Sequence, residues 1–249
     1  MKLLACRLYL HGFLTFSSFT SVVPYGGASF TEYKPAPVIH NYPLMYAFSG
    51  LVHGSLASKV SKHPIEDAVK LSPPDYKLLK EISKKLYVFP AKPYRLVTTK
   101  MLAVAGGERL VQLTPKPKAM YPWRVVHQYF APGTIFDTIL LVYDEDYVPP
   151  KTIRLGVKRY GVFRVECVKA NIIGEWHWYS DPVNVVDVEK WRYTVVRQVT
   201  MLSPKKGSAE IARVVLSKPV KRIEALFTDG RTEFKVPLPQ NKNDVFGDS

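Results

Sequence analysis

Period two governs this chain. Leu4, Cys6, Leu8 and Leu10 alternate with Ala5, Arg7, Tyr9 and His11, the signature of a strand with one buried face. Phe163, Val165 and Cys167 alternate with Arg164, Glu166 and Val168 in the same way. Residues 134–143 read as a buried strand, and further strand patterns fall at 94–105, 109–114, 124–130, 172–179, 193–202, 211–216, 223–227 and 231–236. Twenty prolines punctuate them, which favours turns and edge strands over a helical bundle.

Two segments break the pattern toward helix. Across 41–56, Leu44, Phe48, Leu51 and Val52 keep helical spacing, with Asn41 as the expected N-cap and Pro43 in the first turn, where its missing N–H is harmless. Gly50 and Gly54 weaken that helix. Across 75–86, Leu78, Leu79 and Ile82 share one face, with Lys77, Lys80, Lys84 and Lys85 outside. Residues 12–34 read as a long loop with a short hairpin at Tyr25-Gly26-Gly27. Gly106-Gly107 predicts a hairpin tip between arms at 94–105 and 109–114, followed by a Lys/Pro linker over 115–122. Asp229-Gly230 is a strong hairpin turn signal. With no internal repeat and no composition break, residues 1–238 read as one α+β domain with an inserted hairpin. Residues 239–249 read as a polar tail.

The stretch 151–170 carries the most chemistry. Gly156 and Gly161 bracket four residues, so the backbone there is free to turn tightly or approach a ligand closely. Lys151, Arg154, Lys158, Arg159, Arg164 and Lys169 face only Glu166 as local opposition. Exposed N–H groups beside fixed positive charge suit a phosphate backbone; the same pattern also describes a solvated basic hairpin. Net charge agrees with an anionic partner: Lys plus Arg number 35 against 21 acids, a formal +14. Nucleic acid is the leading partner class and an anionic membrane surface the second. Aromatics interleave with cations at Tyr94-Arg95, Tyr121-Pro122-Trp123-Arg124, Arg159-Tyr160 and Trp191-Arg192-Tyr193, a pattern shared by single-strand binders and by buried strands. Trp176 and Trp178 read as core or interface.

Other chemistries find little support. No phosphate-loop motif, dinucleotide glycine triplet or zincin helix is present. Asp144-Glu145-Asp146 reads as a solvated turn, with no second acidic cluster to complete a metal site. His11, His40, His53 and His127 are the candidates for metal-independent acid–base cleavage of RNA, but no spacing ties them together. Cys6 and Cys167 are the only cysteines. Each reads as a small core hydrophobe in a reducing, cytoplasmic setting, with a disulfide left open. Lys2 to Cys6 lies too near Met1 to follow a signal peptide. No run approaches the ~18 apolar residues of a membrane span.

Five short motifs then occur in order: residues 40–47 (His-Asn-Tyr-Pro-Leu-Met-Tyr-Ala), 86–91 (Leu-Tyr-Val-Phe-Pro-Ala), 131–134 (Ala-Pro-Gly-Thr), 153–156 (Ile-Arg-Leu-Gly) and 182–187 (Pro-Val-Asn-Val-Val-Asp). Together they resemble the type I-D CRISPR effector subunit of the fifth Cas family, and the glycine loop resembles that of the wider RAMP superfamily. The resemblance implies a ferredoxin-like (RRM-like) core with additional C-terminal strands and an inserted β-hairpin thumb at about 94–130. It implies a subunit of a Cascade-type antiviral surveillance complex, without catalytic residue, cofactor or metal. Such a subunit caps the five-prime handle of the guide RNA (crRNA), abuts a backbone subunit and docks the large subunit near the PAM end of target DNA, with no membrane. On this reading Arg154, Gly156, Lys158, Arg159, Gly161 and Arg164 grip the handle. Lys92, Arg95, Lys100, Arg109, Lys116, Lys118 and Arg124, opposed only by Glu108, make the thumb's contacts to nucleic acid or the neighbouring subunit. The chain departs from the family pattern at Val157. Two alternatives stay open: a metal-independent crRNA-processing endoribonuclease, and a basic membrane-peripheral or scaffold protein.

Overall fold

A computed structural model describes residues 1–15, 20–24, 30–49, 76–105, 123–156, 161–178, 180–202 and 210–239. The first half of the chain gives β1 (Lys2–Leu10), β2 (Thr20–Pro24), β3 (Phe30–Pro35), α1 (Asn41–Phe48), α2 (Tyr76–Ser83), β4 (Leu86–Val88), β5 (Lys92–Arg95) and β6 (Thr98–Ala105). Then come β7 (Trp123–Phe130), β8 (Ile135–Val142), β9 (Thr152–Leu155), β10 (Gly161–Lys169), β11 (Asn171–Trp176) and β12 (Val183–Asn184). Last are α3 (Val185–Lys190), β13 (Val195–Met201), β14 (Ile211–Leu216), β15 (Val220–Phe227) and β16 (Gly230–Val236). The described chain is thus mostly β, with three short helices rather than the two expected.

β1 is the spine of the largest sheet. It pairs antiparallel with β8 on one side and β10 on the other; β4 and β5 flank β8, and β9 flanks β10. Every residue of β8 is buried, as its apolar run requires. One face of the sheet presents Leu4, Cys6, Leu8 and Leu10 with Phe136 and Phe163, all buried. Helix α1 lies on this side, against β9, whose Ile153 and Leu155 point inward while Thr152 and Arg154 are exposed. The opposite face, carrying Arg7, was expected to meet solvent. Instead the β15–β16 hairpin covers much of it: Arg7 is 0% exposed, with Phe227 and Thr232 against it. Amphipathic alternation reports which residues are polar, not whether a second layer supplies their partners.

Three smaller sheets surround this core: β11-β15-β16, β12-β14-β13 and β2-β3-β7-β6. The last corrects the expected hairpin. β6 pairs with β7 through Thr98↔Phe130 to Ala105↔Trp123, so β7, not 109–114, forms the second arm; 109–114 and 115–122 lie outside the described residues. β7 also pairs in parallel with β3. The segment read as a loop over 12–34 contains the antiparallel pair β2–β3.

Helix boundaries shift for local reasons. His40, not Asn41, is the N-cap of α1: its Nδ1 accepts from the Tyr42 N–H at 3.1 Å. Asn41 is thereby the first helical residue, with its side chain buried. α2 stops before Leu86, which pairs with Val142 in β4. The third helix, α3, begins inside the 182–187 motif, capped by the Asn184 side chain accepting from the Val186 N–H at 3.1 Å. Cys6 and Cys167 stand directly opposite on β1 and β10 and form a disulfide. They therefore crosslink the sheet rather than serve as separate core thiols.

Candidate nucleic-acid interface

Gly156 and Gly161 stand at the facing ends of β9 and β10, at one end of the central sheet. Gly156 has φ +84°, a left-handed conformation that favours glycine. A Cβ there would lie 2.7 Å from Leu14 Cδ1 and 2.9 Å from the Thr15 carbonyl. Gly161 is required differently. It has no left-handed φ, but a Cβ would meet Leu14 Cδ1 at 2.6 Å and the Leu155 carbonyl at 3.0 Å. Both glycines therefore make room for the chain's own Leu14–Thr15 segment. Leu14 is anchored in turn by reciprocal 2.9 Å backbone hydrogen bonds with Phe130 at the foot of β7. The glycine turn and the β6–β7 arms thus share a base.

Arg154 and Arg164 lie on one face of this end. Arg154 pairs with Val162, and Arg164 sits two residues further along β10, opposite Thr152; alternate strand residues point the same way. Both arginines are exposed. Lys158 and Arg159 lie outside the described residues, between these two strands. Arg164 belongs to a row that crosses the sheet: Thr152, Arg164, Tyr9, Ile135 and Arg95 are successive cross-strand neighbours. Its guanidinium rests 4.0 Å over the centre of the Tyr9 ring.

Glu166, two residues along, holds that arrangement. Its carboxylate accepts from the Tyr9 hydroxyl at 2.8 Å, from the Thr228 N–H at 3.0 Å and from the Thr228 hydroxyl. Burial works against the Glu166 charge, but these donors and Arg164 hold its carboxyl below the usual range. Burial, followed by the bond to Glu166, raises the Tyr9 hydroxyl above the ordinary tyrosine range.

The next row inward is ionic and closed. Glu166, Arg7, Asp137 and Lys92 are cross-strand neighbours. Arg7 donates to both Asp137 oxygens at 2.8 Å, to Thr232 Oγ1 at 2.5 Å and to Asp229. Tyr94 and Phe227 lie against its guanidinium at 3.8 and 4.3 Å. Burial alone disfavours this cation; the two aspartates outweigh it and hold Arg7 protonated. Lys92 donates to Asp181 at 2.7 Å and to the Glu233 carbonyl at 2.7 Å. It was expected among the thumb's contacts, yet its ammonium ties β5 to the C-terminal sheet.

The remaining thumb cations divide. Arg95 is exposed, and its Nε donates to the Gly133 carbonyl at 2.9 Å. Lys100 is exposed on β6, and Arg124 sits on β7 opposite Val104. Arg109, Lys116 and Lys118 lie outside the described residues.

Three of the five sequence motifs meet at a second place, away from these arginines. Asp187 accepts from Asn41 Nδ2 at 2.8 Å, Tyr87 OH at 2.7 Å and Tyr42 OH at 3.2 Å, while Asn184 donates to Asn41 at 3.3 Å. Burial pushes the Asp187 carboxyl up to about 6, against the stabilising bonds from Tyr87, Asn41 and Tyr42. The Tyr87 ring packs edge-on to Trp191 at 4.9 Å. These motif residues act as an internal keystone. The 131–134 motif is also architectural: Thr134 Oγ1 accepts from the Val97 N–H at 3.1 Å and donates to its carbonyl at 2.8 Å, fixing the start of the arms.

His11 is exposed at the end of β1, His40 caps α1, and His127 lies in β7 beside Tyr129; His53 lies outside the described residues. Asp144 folds back on the Asp146 N–H at 3.2 Å in an exposed turn. Among the described residues no group of three or more His, Cys, Asp or Glu is placed to hold a metal ion, and no helix is long and apolar enough to cross a membrane.

No curated protein matches the sequence. Two solved chains are similar in outline, both from cryo-EM structures of the type III-B Cmr-beta complex bound to cognate target RNA, one of them also with AMPPnP. The first is 10% identical with a TM-score of 0.41, covering 87% of this chain and 86% of the other. The second is 11% identical with a TM-score of 0.34 and the same coverage. Residues 1–217 match the family model of the type I-D CRISPR-associated protein Cas5/Csc1, and the chain belongs to that family.

Proposed function

We propose that this protein is the non-catalytic, RNA-gripping subunit of a type I-D CRISPR surveillance complex. It holds the five-prime handle of the guide RNA and contacts the backbone and large subunits near the PAM end of target DNA. The observation that carries the reading, within the family match, is the pair of exposed arginines, Arg154 and Arg164, on one sheet face beside the glycine turn. Lys158 and Arg159 extend the same grip. The phosphate contacts fall to Arg154 and the cations beside it, and such contacts position a strand without reading its bases. The thumb is the β6–β7 arms with the segment between them, and Arg95, Lys100, Arg109, Lys116, Lys118 and Arg124 are its contact cations; Lys92 is not among them.

A ferredoxin-like core is the fold that goes with this role. The order β10-β1-β8-β4/β5, antiparallel throughout, supports it, as do the helices between β1 and β4. Between β8 and β10 the described chain runs through an irregular segment and β9 instead of a second crossover helix.

Co-purification of the chain expressed with its neighbouring effector genes, followed by sequencing of bound RNA, tests the proposal. Recovery of guide RNAs with a uniform five-prime handle is the expected result. A chain that leaves the complex RNA-free, or cuts repeat RNA at one site when purified alone, overturns it.

A further inference from the structure

We propose that the Arg164–Tyr9 pair is a stacking platform for one unpaired nucleobase of the bound strand, an inference that rests on the RNA-binding role above. Arg164 is exposed, while the Tyr9 ring beneath it is partly covered. The guanidinium carbon lies 4.0 Å from the ring centre on an exposed residue, so the side away from the ring is open to a ligand. A guanidinium is planar and weakly hydrated, so a base plane replaces water on it at little cost. Unpaired bases stack on arginine planes as they do on aromatic rings.

The surroundings favour a base over a phosphate at this spot. Burial is the main cause of the raised Tyr9 hydroxyl; Glu166 and Asp229 add to it and Arg7 opposes them. A phosphate over the stack would meet that negative field; a neutral base would not. Glu166 already accepts three hydrogen bonds, from the Tyr9 hydroxyl and from the Thr228 N–H and hydroxyl, and stacking itself uses the face of a base, which every base has. The platform is therefore tolerant of base identity. It is also held in place, because the tyrosine hydroxyl is tethered to Glu166 and Glu166 to the β15–β16 turn. Arg154 lies one alternation further along the same face, about 7 Å away by strand geometry, where it meets the neighbouring phosphate. The pairing was hidden in the sequence because Tyr9 and Arg164 are 155 residues apart and become neighbours only through the β1–β10 register.

The test uses the full chain and single-stranded handle-length RNAs carrying one abasic nucleotide at each position in turn, read by fluorescence anisotropy over a salt series. Wild type should show one position where loss of the base weakens binding by roughly five- to a hundredfold, the range for a stacked base. Arg164→Lys keeps the charge and removes the plane. It should lose a similar factor on intact RNA, keep the salt slope, and become indifferent to the abasic nucleotide at that position. Tyr9→Phe keeps the ring and cuts the tether, and should lose less. Circular dichroism checks the fold of each variant. If Arg164→Lys binds intact and abasic RNAs as wild type does, there is no platform. If Arg164→Ala instead flattens the salt slope by about 0.7 with no position-specific abasic effect, Arg164 is a phosphate contact, which overturns the platform and leaves the RNA-binding role standing. No measurable binding of any RNA by wild type overturns both.

Discussion

Arg7 and Asp137 face each other on adjacent strands, joined by two 2.8 Å hydrogen bonds and exposed by only 0% and 1%. Buried ion pairs contribute little net stability when replaced as a pair, but breaking one by removing a single partner costs about 3–5 kcal/mol. Arg7 also reaches Asp229 and Thr232 on the β15–β16 hairpin, so it fastens that layer to the central sheet. Arg7→Met should therefore destabilise the fold by at least 3 kcal/mol or so. The double change Arg7→Met with Asp137→Leu should recover part of the loss, because no buried carboxylate is then left alone. Urea denaturation of the two variants checks this; equal instability of single and double variants would reject it.

Asp187 makes stability depend on pH. Its folded carboxyl titrates at about 6, above the ordinary 3.8. The folded state therefore binds the proton more tightly than the unfolded chain. The stabilisation from protonation is fully present below about pH 4 and is lost as pH rises to about 6, amounting to about 3 kcal/mol in all. Above that window the contribution is flat. Other carboxylates with lowered values, such as Glu166 and Glu233, slope the opposite way at lower pH. The comparison is thus between wild type and Asp187→Asn, whose stability should lack the decline between about pH 4 and pH 6. Parallel pH–stability curves for the two proteins would show that Asp187 does not titrate in this range.

Strands were legible in the sequence and their partners were not. The alternation at Leu4 to Leu10 and at Phe163 to Cys167 reports local burial, and both became strands of the central sheet. Nothing in that alternation tells that Arg7 will find Asp229, 222 residues away. The second arm of the β6 hairpin was misplaced for a related reason: Gly106-Gly107 is a strong local turn signal, but β6 is paired with a strand that starts at Trp123. At the candidate site, the need for glycine at 156 and 161 was readable. The identity of what fills the space, Leu14 and Thr15, was not, since it depends on the anchor between Leu14 and Phe130. Asn41, Tyr87 and Asp187 were visible as motif residues, while their convergence on one buried carboxylate needed the fold.

The two glycines should respond differently to compensation. At Gly161 the nearest obstacle to a Cβ is the end of the Leu14 side chain, which can be shortened, with the Leu155 carbonyl a lesser one at 3.0 Å and no left-handed φ to add strain. At Gly156 the obstacles include the Thr15 carbonyl, and the backbone is left-handed. Each change to Ala should cost on the order of 1–3 kcal/mol. Adding Leu14→Ala should restore much of the loss for Gly161→Ala and little for Gly156→Ala. Double-mutant cycles by thermal denaturation read the coupling directly. Equal rescue at both positions would mean that the backbone conformation at Gly156 costs nothing.

Arg154 is the plainest phosphate contact of the proposed grip. It is exposed on β9, on the same face as Arg164 and next to the glycine turn. No described side chain makes a hydrogen bond or ion pair with it at the distances quoted above. A phosphate contact releases counterions, contributing about −0.7 to the slope of log K against log salt for a single strand. Arg154→Ala should flatten the slope by that amount and weaken all handle sequences alike. Arg154→Lys should keep the slope, because a point charge suffices for counterion release, and lose only what bidentate geometry adds. Arg159→Ala, in the turn itself, should behave as Arg154→Ala does. Arg95→Ala is the useful contrast: its guanidinium already braces the Gly133 carbonyl, so its removal should lower stability more than it changes the slope. Handle-RNA affinities of the four variants across a salt series separate these outcomes. Unchanged slopes for Arg154→Ala and Arg159→Ala would leave the β9–β10 turn as a solvated basic hairpin and move the grip to the β6–β7 arms.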